Sequence, residues 1–266
     1  MEKQDYNWKR KSSLRIIKEI TFWSAGILLF IYCWQIISEL TMWPFVLDGA
    51  EQATNLLSRM FPPNWNYFYD LLIPIWDTIT IATLGTIAAL FLAIFVAFLA
   101  AKNTTPHPIL RQMALLIIVT SRSVNSLIWA IILVIILGPG VLAGIIAISF
   151  RSIGFVSKLL YESIEEINKD QVEAVSATGA SKFSTLIYSV IPQVFPTFIG
   201  TAVYRWDINI RESTVVGLVG AGGIGLQLNE AILGLKWPDA FIIFIMILSL
   251  VFLSEFTSAK IRKALI

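Results

Sequence analysis

The sequence predicts an all-α integral membrane protein of about six transmembrane helices. Of its 266 residues, 56% are hydrophobic and 14% are charged, and the mean hydropathy is +0.74. A soluble domain carries roughly 25% charged residues, so this chain lacks the polar side chains that a water-exposed surface of its size requires. The formal net charge of +2 offers no basic surface for nucleic acid.

The chain has one cysteine, Cys33, and one histidine, His107. A single cysteine forms neither a disulfide framework nor a thiolate metal cluster, and a single histidine excludes a multi-histidine zinc site. The sequence also lacks a recognisable convergent set of catalytic groups, which argues against a membrane enzyme. We therefore expect no metal and no cofactor bound by this chain.

The first 19 residues form a positively charged segment that we expect to be cytoplasmic. Its basic residues are Lys3, Lys9, Arg10, Lys11, Arg15 and Lys18. The long apolar run that follows has no small-residue cleavage pattern at its end, which predicts an uncleaved anchor. Residues 20–76 then comprise the first transmembrane helix and an outer loop, in which Gly49 to Met60 is predicted to form a short helix.

A spanning helix needs about 20 mostly apolar residues, and three stretches qualify directly. They are Ile20 to Ser38, Thr78 to Ala101 and Ala240 to Phe256. Three further spans contain polar or charged residues: Met113 to Leu137, Val141 to Leu160 and Val194 to Leu218. Six spans place both termini on one side of the membrane, and the excess of Lys and Arg in the loops assigns that side to the cytoplasm.

A polar stretch, residues 161–192, interrupts the spans and is predicted to form a compact elbow of two short helices. Asp170 is placed to cap the first helix, and Gly179 to end it in a left-handed conformation. Ser181 is placed to cap the second helix, which gives way to the next span at Pro192. By the same distribution of basic residues, the elbow lies in the cytoplasm.

The elbow resembles the signature of the permeases of binding-protein-dependent ABC importers. That signature is Glu-Ala-Ala, three residues, Gly, nine residues, then an apolar triplet ending in Pro. Here it reads Glu173-Ala174-Val175, Gly179 and Ser189-Val190-Ile191-Pro192, with Val175 and Ser189 departing from the family pattern. The resemblance implies a coupling-helix elbow that docks on an ATPase, and it assigns Glu173, Ala174, Gly179 and Pro192 to that coupling.

The resemblance also implies a set of partners and a location. The chain is expected to pair with a second permease copy, two cytoplasmic ATPase subunits that bind ATP and Mg, and a periplasmic substrate-binding protein. It is expected to lie in the bacterial cytoplasmic (inner) membrane, where residues 77–266 form the permease core of about five transmembrane helices.

The stretch from Tyr204 to Leu226 narrows the resemblance to the permeases of phosphonate importers, including relatives that carry phosphite. The resemblance covers most of the chain and is weakest before about Asp70. It implies import of phosphonate, phosphite or a related small phosphorus oxyanion by alternating access. The alternative is an ATPase-independent secondary transporter or channel for a small anion, against which the absence of an internal repeat counts.

Charges inside a membrane span must face protein or water, and the fifth predicted span carries several. Asp207 and Arg211 are four residues apart and can pair on one helix face, and Arg205 is four residues from Asn209 on a neighbouring face. Both a structural network and an anion pathway account for such residues. The candidates for the pathway are Arg122, Asn125, Arg151, Arg205, Asp207, Asn209, Arg211 and Ser213.

A glycine run follows the fifth span and satisfies GxGxxG with Gly220, Gly222, Gly223 and Gly225. A dinucleotide-binding turn must follow a buried strand and open a helix, whereas this run follows a membrane span. We therefore interpret it as a tight turn packed against protein at the outer face. The same run resembles the permease segment that helps to shape the outer end of the pathway.

Overall fold

The computed structural model describes residues 13–265, and these residues form helices and no strands. The predicted all-α fold is therefore confirmed for this part of the chain. The predictions for Lys3, Lys9, Arg10 and Lys11 lie outside the described residues.

The chain divides into two compact units, one ending at Ser58 and the next beginning at Arg59. The first unit contains α1 (Ser13–Leu40), α2 (Trp43–Leu47) and most of α3 (Gly49–Met60). The predicted span Ile20 to Ser38 lies within α1, and the predicted loop helix is α3. Within this unit no residue of the apolar stretch of α1 is buried, as suits an apolar helix whose solvent is lipid.

The second unit is a bundle of nine α-helices in the part of the chain that the structure describes. A 3₁₀ turn, Trp65–Phe68, precedes it. The helices are α4 (Leu72–Ala100), α5 (Pro108–Ser123), α6 (Ser126–Leu137), α7 (Val141–Glu165), α8 (Lys169–Ala177), α9 (Lys182–Thr185), α10 (Ile191–Gly217), α11 (Ile224–Leu233) and α12 (Trp237–Leu265).

Five helices of the described chain are long and apolar enough to cross a membrane, and a bent pair makes six. This confirms the predicted number. The prediction of one continuous helix from Met113 to Leu137 is wrong, because α5 and α6 meet at an angle of 90°. Val124 and Asn125 are extended, and the Asn125 side chain accepts a hydrogen bond of 3.1 Å from the Leu127 N–H. A helix-capping residue inside an apolar run thus starts a new helix.

The other spans are longer than their apolar windows predict. Helix α4 begins at Leu72 rather than Thr78, α7 continues to Glu165 rather than Leu160, and α12 spans Trp237–Leu265. Charged residues at the C-terminal ends of α7 and α12, such as Glu165 and Lys260, remain good helix formers. Hydropathy therefore locates the buried middle of each span and not its ends.

Small residues let the central helices approach one another closely. Ala82, Ala89 and Ala93 on α4 are fully buried against the bundle. Ser149 of α7 donates a hydrogen bond of 3.0 Å to the Gly85 carbonyl of α4. Close backbone approach and interhelical hydroxyl bonds are the usual sources of helix association in membranes. They fix α4 and α7 as the frame on which α10 is placed.

Candidate functional sites: a buried charge network and an exposed elbow

The predicted pairing on α10 is confirmed for Asp207 and Arg211. Arg211 donates to Asp207, and Ser254 of α12 donates a further hydrogen bond of 2.8 Å to Asp207 Oδ1. The Asp207 side chain is 4% exposed, whereas that of Arg211 is 46% exposed. The pair is locally neutral, and it ties α10 to α12 while it leaves the guanidinium accessible.

A second cluster centres on Glu212, which lies between two arginines. Arg205 Nη2 is 3.2 Å from Glu212 Oε2, and Arg151 Nε is 3.3 Å from Glu212 Oε1. Arg205 is buried, and its guanidinium carbon lies 5.2 Å from the centre of the Phe155 ring. Two guanidinium groups and one carboxylate give this cluster a net charge of +1 at a depth where an excess charge is costly.

Neutral polar side chains complete the network across three helices. Ser152 Oγ accepts a 2.9 Å bond from Arg205 Nε and a 3.1 Å bond from Asn209 Nδ2. Asn209 Nδ2 also donates to Thr86 Oγ1 of α4 at 2.7 Å. Arg205 and Asn209 are thus joined through Ser152 rather than directly. Fully buried and satisfied polar networks of this kind hold helices in one arrangement.

The remaining pathway candidates fall into two groups. Ser213 is fully buried and donates a hydrogen bond of 2.7 Å to the Ile210 carbonyl one turn back, so its hydroxyl is bonded within α10. Arg122 is exposed and has no ion pair among the described residues, and Asn125 is exposed at the bend between α5 and α6. Neither Arg122 nor Asn125 joins the hydrogen-bonded network of α10.

Sequence reasoning did not place Glu212, Ser152, Thr86 and Ser254 among the candidate site residues. Glu212 lies seven residues after Arg205, which is two turns along one helix face, so helical spacing contains that signal. Ser152, Thr86 and Ser254 belong to other helices. Their pairing depends on tertiary packing, and the sequence alone gives no signal for it.

The glycine run forms a buried tight turn between α10 and α11. Gly220, Gly222 and Gly223 have φ of 93°, 82° and 73°, values that residues with a Cβ rarely adopt. The Gly220 carbonyl accepts a hydrogen bond of 3.0 Å from the Gly140 N–H, and Thr78 Oγ1 accepts one of 2.8 Å from the Ile224 N–H. The turn follows a helix, as predicted, and it packs against the first turns of α4 and α7.

The elbow, residues 161–192, contains the first short helix that the sequence predicts, but with a different cap. Helix α8 begins at Lys169, and Asn168 Oδ1 accepts a hydrogen bond of 2.9 Å from the Asp170 N–H. The prediction that Asp170 caps this helix is therefore wrong. Asn168 holds the extended backbone of an N-cap, and Asp170 lies in the first turn, where a carboxylate suits the helix dipole.

The end of α8 and the start of the next helix follow the prediction. Gly179 adopts a φ of 83° just after α8. Ser181 Oγ accepts a hydrogen bond of 3.2 Å from the Ser184 N–H at the start of α9. The prediction that this second helix gives way at Pro192 is wrong. Helix α9 continues through a π-helical turn, Leu186–Val190, into α10, so that Lys182–Gly217 is one long span.

Pro192 accounts for the wide turn. Proline has no N–H for the carbonyl four residues earlier, and its ring clashes with that carbonyl. The chain responds with a bond from the Ile191 N–H to the Leu186 carbonyl five residues back. The proline thus widens the helix locally without ending it, as π-turns inside helices commonly do at functional sites.

The surface of the elbow is open to a partner. Glu173, Ala174, Gly179 and Pro192 are all exposed, and α8 has no buried residue. Glu173 has no ion pair within the part of the chain that the structure describes. One charged side chain and small neighbours such as Ala174 and Gly179 are suited to close docking of another protein. Their role in coupling stays a prediction.

Membrane-spanning helices that carry a buried charge network, together with an exposed polar elbow, define a polytopic membrane transport subunit. The model of the binding-protein-dependent transport system inner membrane component family matches residues 89–263. The chain therefore belongs to that family, and it is a multi-pass permease of an ABC importer and not an enzyme.

Two relatives with assigned functions match most of the chain. The phosphite transport system permease protein PtxC of Stutzerimonas stutzeri is 37% identical over 218 residues, which cover 82% of this chain and 79% of that protein. The phosphate-import permease protein PhnE of Mycolicibacterium smegmatis is 39% identical over 221 residues. That match covers 83% of this chain and 42% of PhnE.

Solved structures share the fold at lower identity. A chain of the inward-facing MetNI methionine ABC transporter superposes with a TM-score of 0.65 at 19% identity, over 76% of this chain and 99% of its own. A chain of a bacterial ABC transporter that imports alginate superposes with a TM-score of 0.57 at 18% identity, over 93% and 99%. These likenesses concern the fold alone.

Proposed function

We propose that this chain is the permease of an ATP-driven importer for phosphonate, phosphite or a related small phosphorus oxyanion. The observation that carries the proposal is the 37% identity to a phosphite permease over 82% of the chain. The charge of the site supports the same class of substrate. The cluster of Arg151, Arg205 and Glu212 carries an excess positive charge within the spans, and guanidinium groups bind oxyanions through charge-assisted hydrogen bonds.

The charged residues divide into holding and lining groups by their burial. Arg205, Asp207 and Asn209 are almost completely buried and bonded, so in this proposal they hold α10 in place. Arg151 and Arg211 keep side chains that are 33% and 46% exposed, and Arg122 is also exposed. These three arginines are the proposed contacts for an anion in transit, because charges inside membrane spans commonly mark an ion or substrate path.

The proposed assembly contains two copies of the chain, two ATPase subunits that bind ATP and Mg, and a binding protein on the outer face. A homodimer is the simplest closed arrangement for such a pore. Both chain termini and the elbow lie on the cytoplasmic side. ATP-driven closure of the ATPases draws together the elbows around Glu173 and opens the pathway outward, and hydrolysis resets it. The glycine turn shapes the outer end of the pathway.

Uptake into proteoliposomes tests this proposal directly. Vesicles that contain the chain, its ATPase and its binding protein should accumulate radiolabelled phosphite or methylphosphonate only when ATP is supplied. Sulfate serves as the matched competitor, because it is an oxyanion of similar size without phosphorus. Competition by excess phosphite but not by sulfate supports the substrate class. Uptake that requires neither protein partner and follows an ion gradient would replace the proposal with the secondary-transporter alternative.

A further inference from the structure

The elbow is attached to the membrane bundle by a small number of contacts. Helix α8 has no buried residue. Val172 of α8 and Ile167, two residues before α8, are half-buried against a cluster that includes Val190 and Val194. A short helix held by so little apolar surface has little intrinsic stability of its own. The hydrogen bonds at the N-terminus of α8 therefore determine how firmly this helix is held to the rest of the chain.

Those bonds are supplied by one side chain, Gln193, at the start of α10. Gln193 Oε1 accepts a hydrogen bond of 2.9 Å from the Asn168 N–H, and Gln193 Nε2 lies 3.5 Å from the Asn168 carbonyl oxygen. The same Nε2 donates a hydrogen bond of 2.9 Å to the Ser189 carbonyl in the π-turn. The amide group is thus fixed to the backbone of its own helix at one side and to the backbone of Asn168 at the other.

Asn168 extends this connection into α8. Its side chain is the N-cap of α8 and accepts from the Asp170 N–H, while its own N–H and carbonyl face Gln193. One residue is therefore bonded both to the first turn of α8 and to the first turn of α10. The path from the exposed elbow to the span contains two hydrogen-bonded steps and no flexible linker.

The span that receives this connection carries the charge network. Arg205 lies twelve residues after Gln193 on the same helix, with Pro196 in the stretch between them, and the separation is about 18 Å at ~1.5 Å per residue. The backbone stays helical through Pro196, so we expect a displacement of the first turn to reach the charged residues. Ser189 lies in the π-turn, and Gln193, three residues beyond that turn, donates to the Ser189 carbonyl.

We propose that Gln193 is a positioning residue that clamps α8 to α10, so that movement of the elbow by the ATPase is delivered to the transmembrane pathway. This inference rests on the proposed function, because it assigns to α8 the contact with the ATPase. Loss of the clamp leaves the exposed docking surface of α8 in place, and it lets α8 move without α10. ATP hydrolysis then continues while less substrate is carried.

The test measures ATP hydrolysed per molecule imported by the full complex in proteoliposomes. Gln193→Ala should raise this ratio several-fold while the variant still binds the ATPase. Gln193→Glu keeps an acceptor for the Asn168 N–H but loses both donor bonds, so its ratio should fall between those of wild type and Gln193→Ala. Gln112→Ala is the matched control, since Gln112 is exposed and no hydrogen bond of its side chain is found among the described residues; its ratio should match wild type.

Two results would overturn the clamp. One is a wild-type ratio in Gln193→Ala, and the other is loss of ATPase binding by that variant, which would make the residue part of the docking surface itself. Failure of the proposed function is recognised separately, because wild-type vesicles would then show no ATP-dependent uptake. Hydrogen–deuterium exchange of α8 in the isolated chain supplies a readout without transport: exchange should be faster in Gln193→Ala, and unchanged exchange would contradict the clamp.

Discussion

Replacement of Gly225 by alanine should break the contact between α10 and α11. An added Cβ would lie 2.0 Å from the Thr214 carbonyl oxygen and 2.9 Å from the Gly217 Cα. Both are backbone atoms of α10, so no change of side-chain rotamer relieves the contact. The two helices must separate by about 1 Å to restore even the shortest tolerable approach of 3.0 Å, and tight interiors resist such shifts.

The expected cost of this overpacking is about 1–3 kcal/mol. At roughly 2–4 °C per kcal/mol for a chain of this size, the purified variant should unfold roughly 2–12 °C below wild type. Thermal unfolding in detergent measures the shift. The matched control is Gly200→Ala in α10, where an added Cβ meets nothing within 4 Å. Alanine favours a helix by about 1 kcal/mol over glycine, so this control should unfold at or above the wild-type temperature.

A wild-type unfolding temperature for Gly225→Ala would refute the reasoning, because it would mean that α11 can rest further from α10 without cost. A fall of equal size in the Gly200→Ala control would also contradict it. In that case glycine itself, rather than the close approach at Gly225, would be what the spans require.

Substitutions at four other residues separate the roles assigned to the charged and capping residues. Glu212→Gln removes the carboxylate shared by two arginines and should cost about 3–5 kcal/mol in thermal unfolding, whereas Glu212→Asp, which keeps the charge, should cost less. Arg122→Ala loses no ion pair among the described residues, so it should leave the unfolding temperature unchanged and lower substrate uptake. Asn168→Ala removes the cap of α8 at a cost of about 1 kcal/mol, seen as faster hydrogen exchange in that helix. Glu173→Ala should preserve membrane insertion and lower uptake; unchanged uptake would remove Glu173 from the coupling surface.

The helices of the bundle were predictable because the bilayer imposes a length and a composition on every span. That constraint located all six spans, including the pair α5 and α6. The bend between them depends on whether Asn125 hydrogen-bonds to the next helix or stays solvated within a straight one. The same sequence is compatible with a bent pair and with a straight helix, because Ser and Asn side chains can hydrogen-bond to the backbone and so compete with the helix.

The elbow shows where local signals succeed and where they do not. Gly179 and Ser181 were correctly assigned because their conformations follow from local backbone preferences. The N-cap of α8 lies two residues before the predicted Asp170. Asn and Asp are equally good N-caps, and the Asn168 N–H is bonded to Gln193, 25 residues away, a contact that the local sequence does not indicate. Pro192 was read as a helix end, but tertiary packing carries the helix past it through a wider turn.

The charge network adds a physical limit on how the span can move. Asn209 and Arg205 bond α10 to Thr86 of α4 and Ser152 of α7. For α10 to slide alone it must break several buried polar bonds at once, each costly to leave unmade. The long span Lys182–Gly217 has 36 residues, or about 54 Å at ~1.5 Å per residue, and exceeds the ~30 Å hydrocarbon core. At least one end of this helix therefore projects out of the hydrocarbon core. We expect the network to oppose a push on the end at α9, so that α4, α7 and α10 tilt together rather than slide past one another.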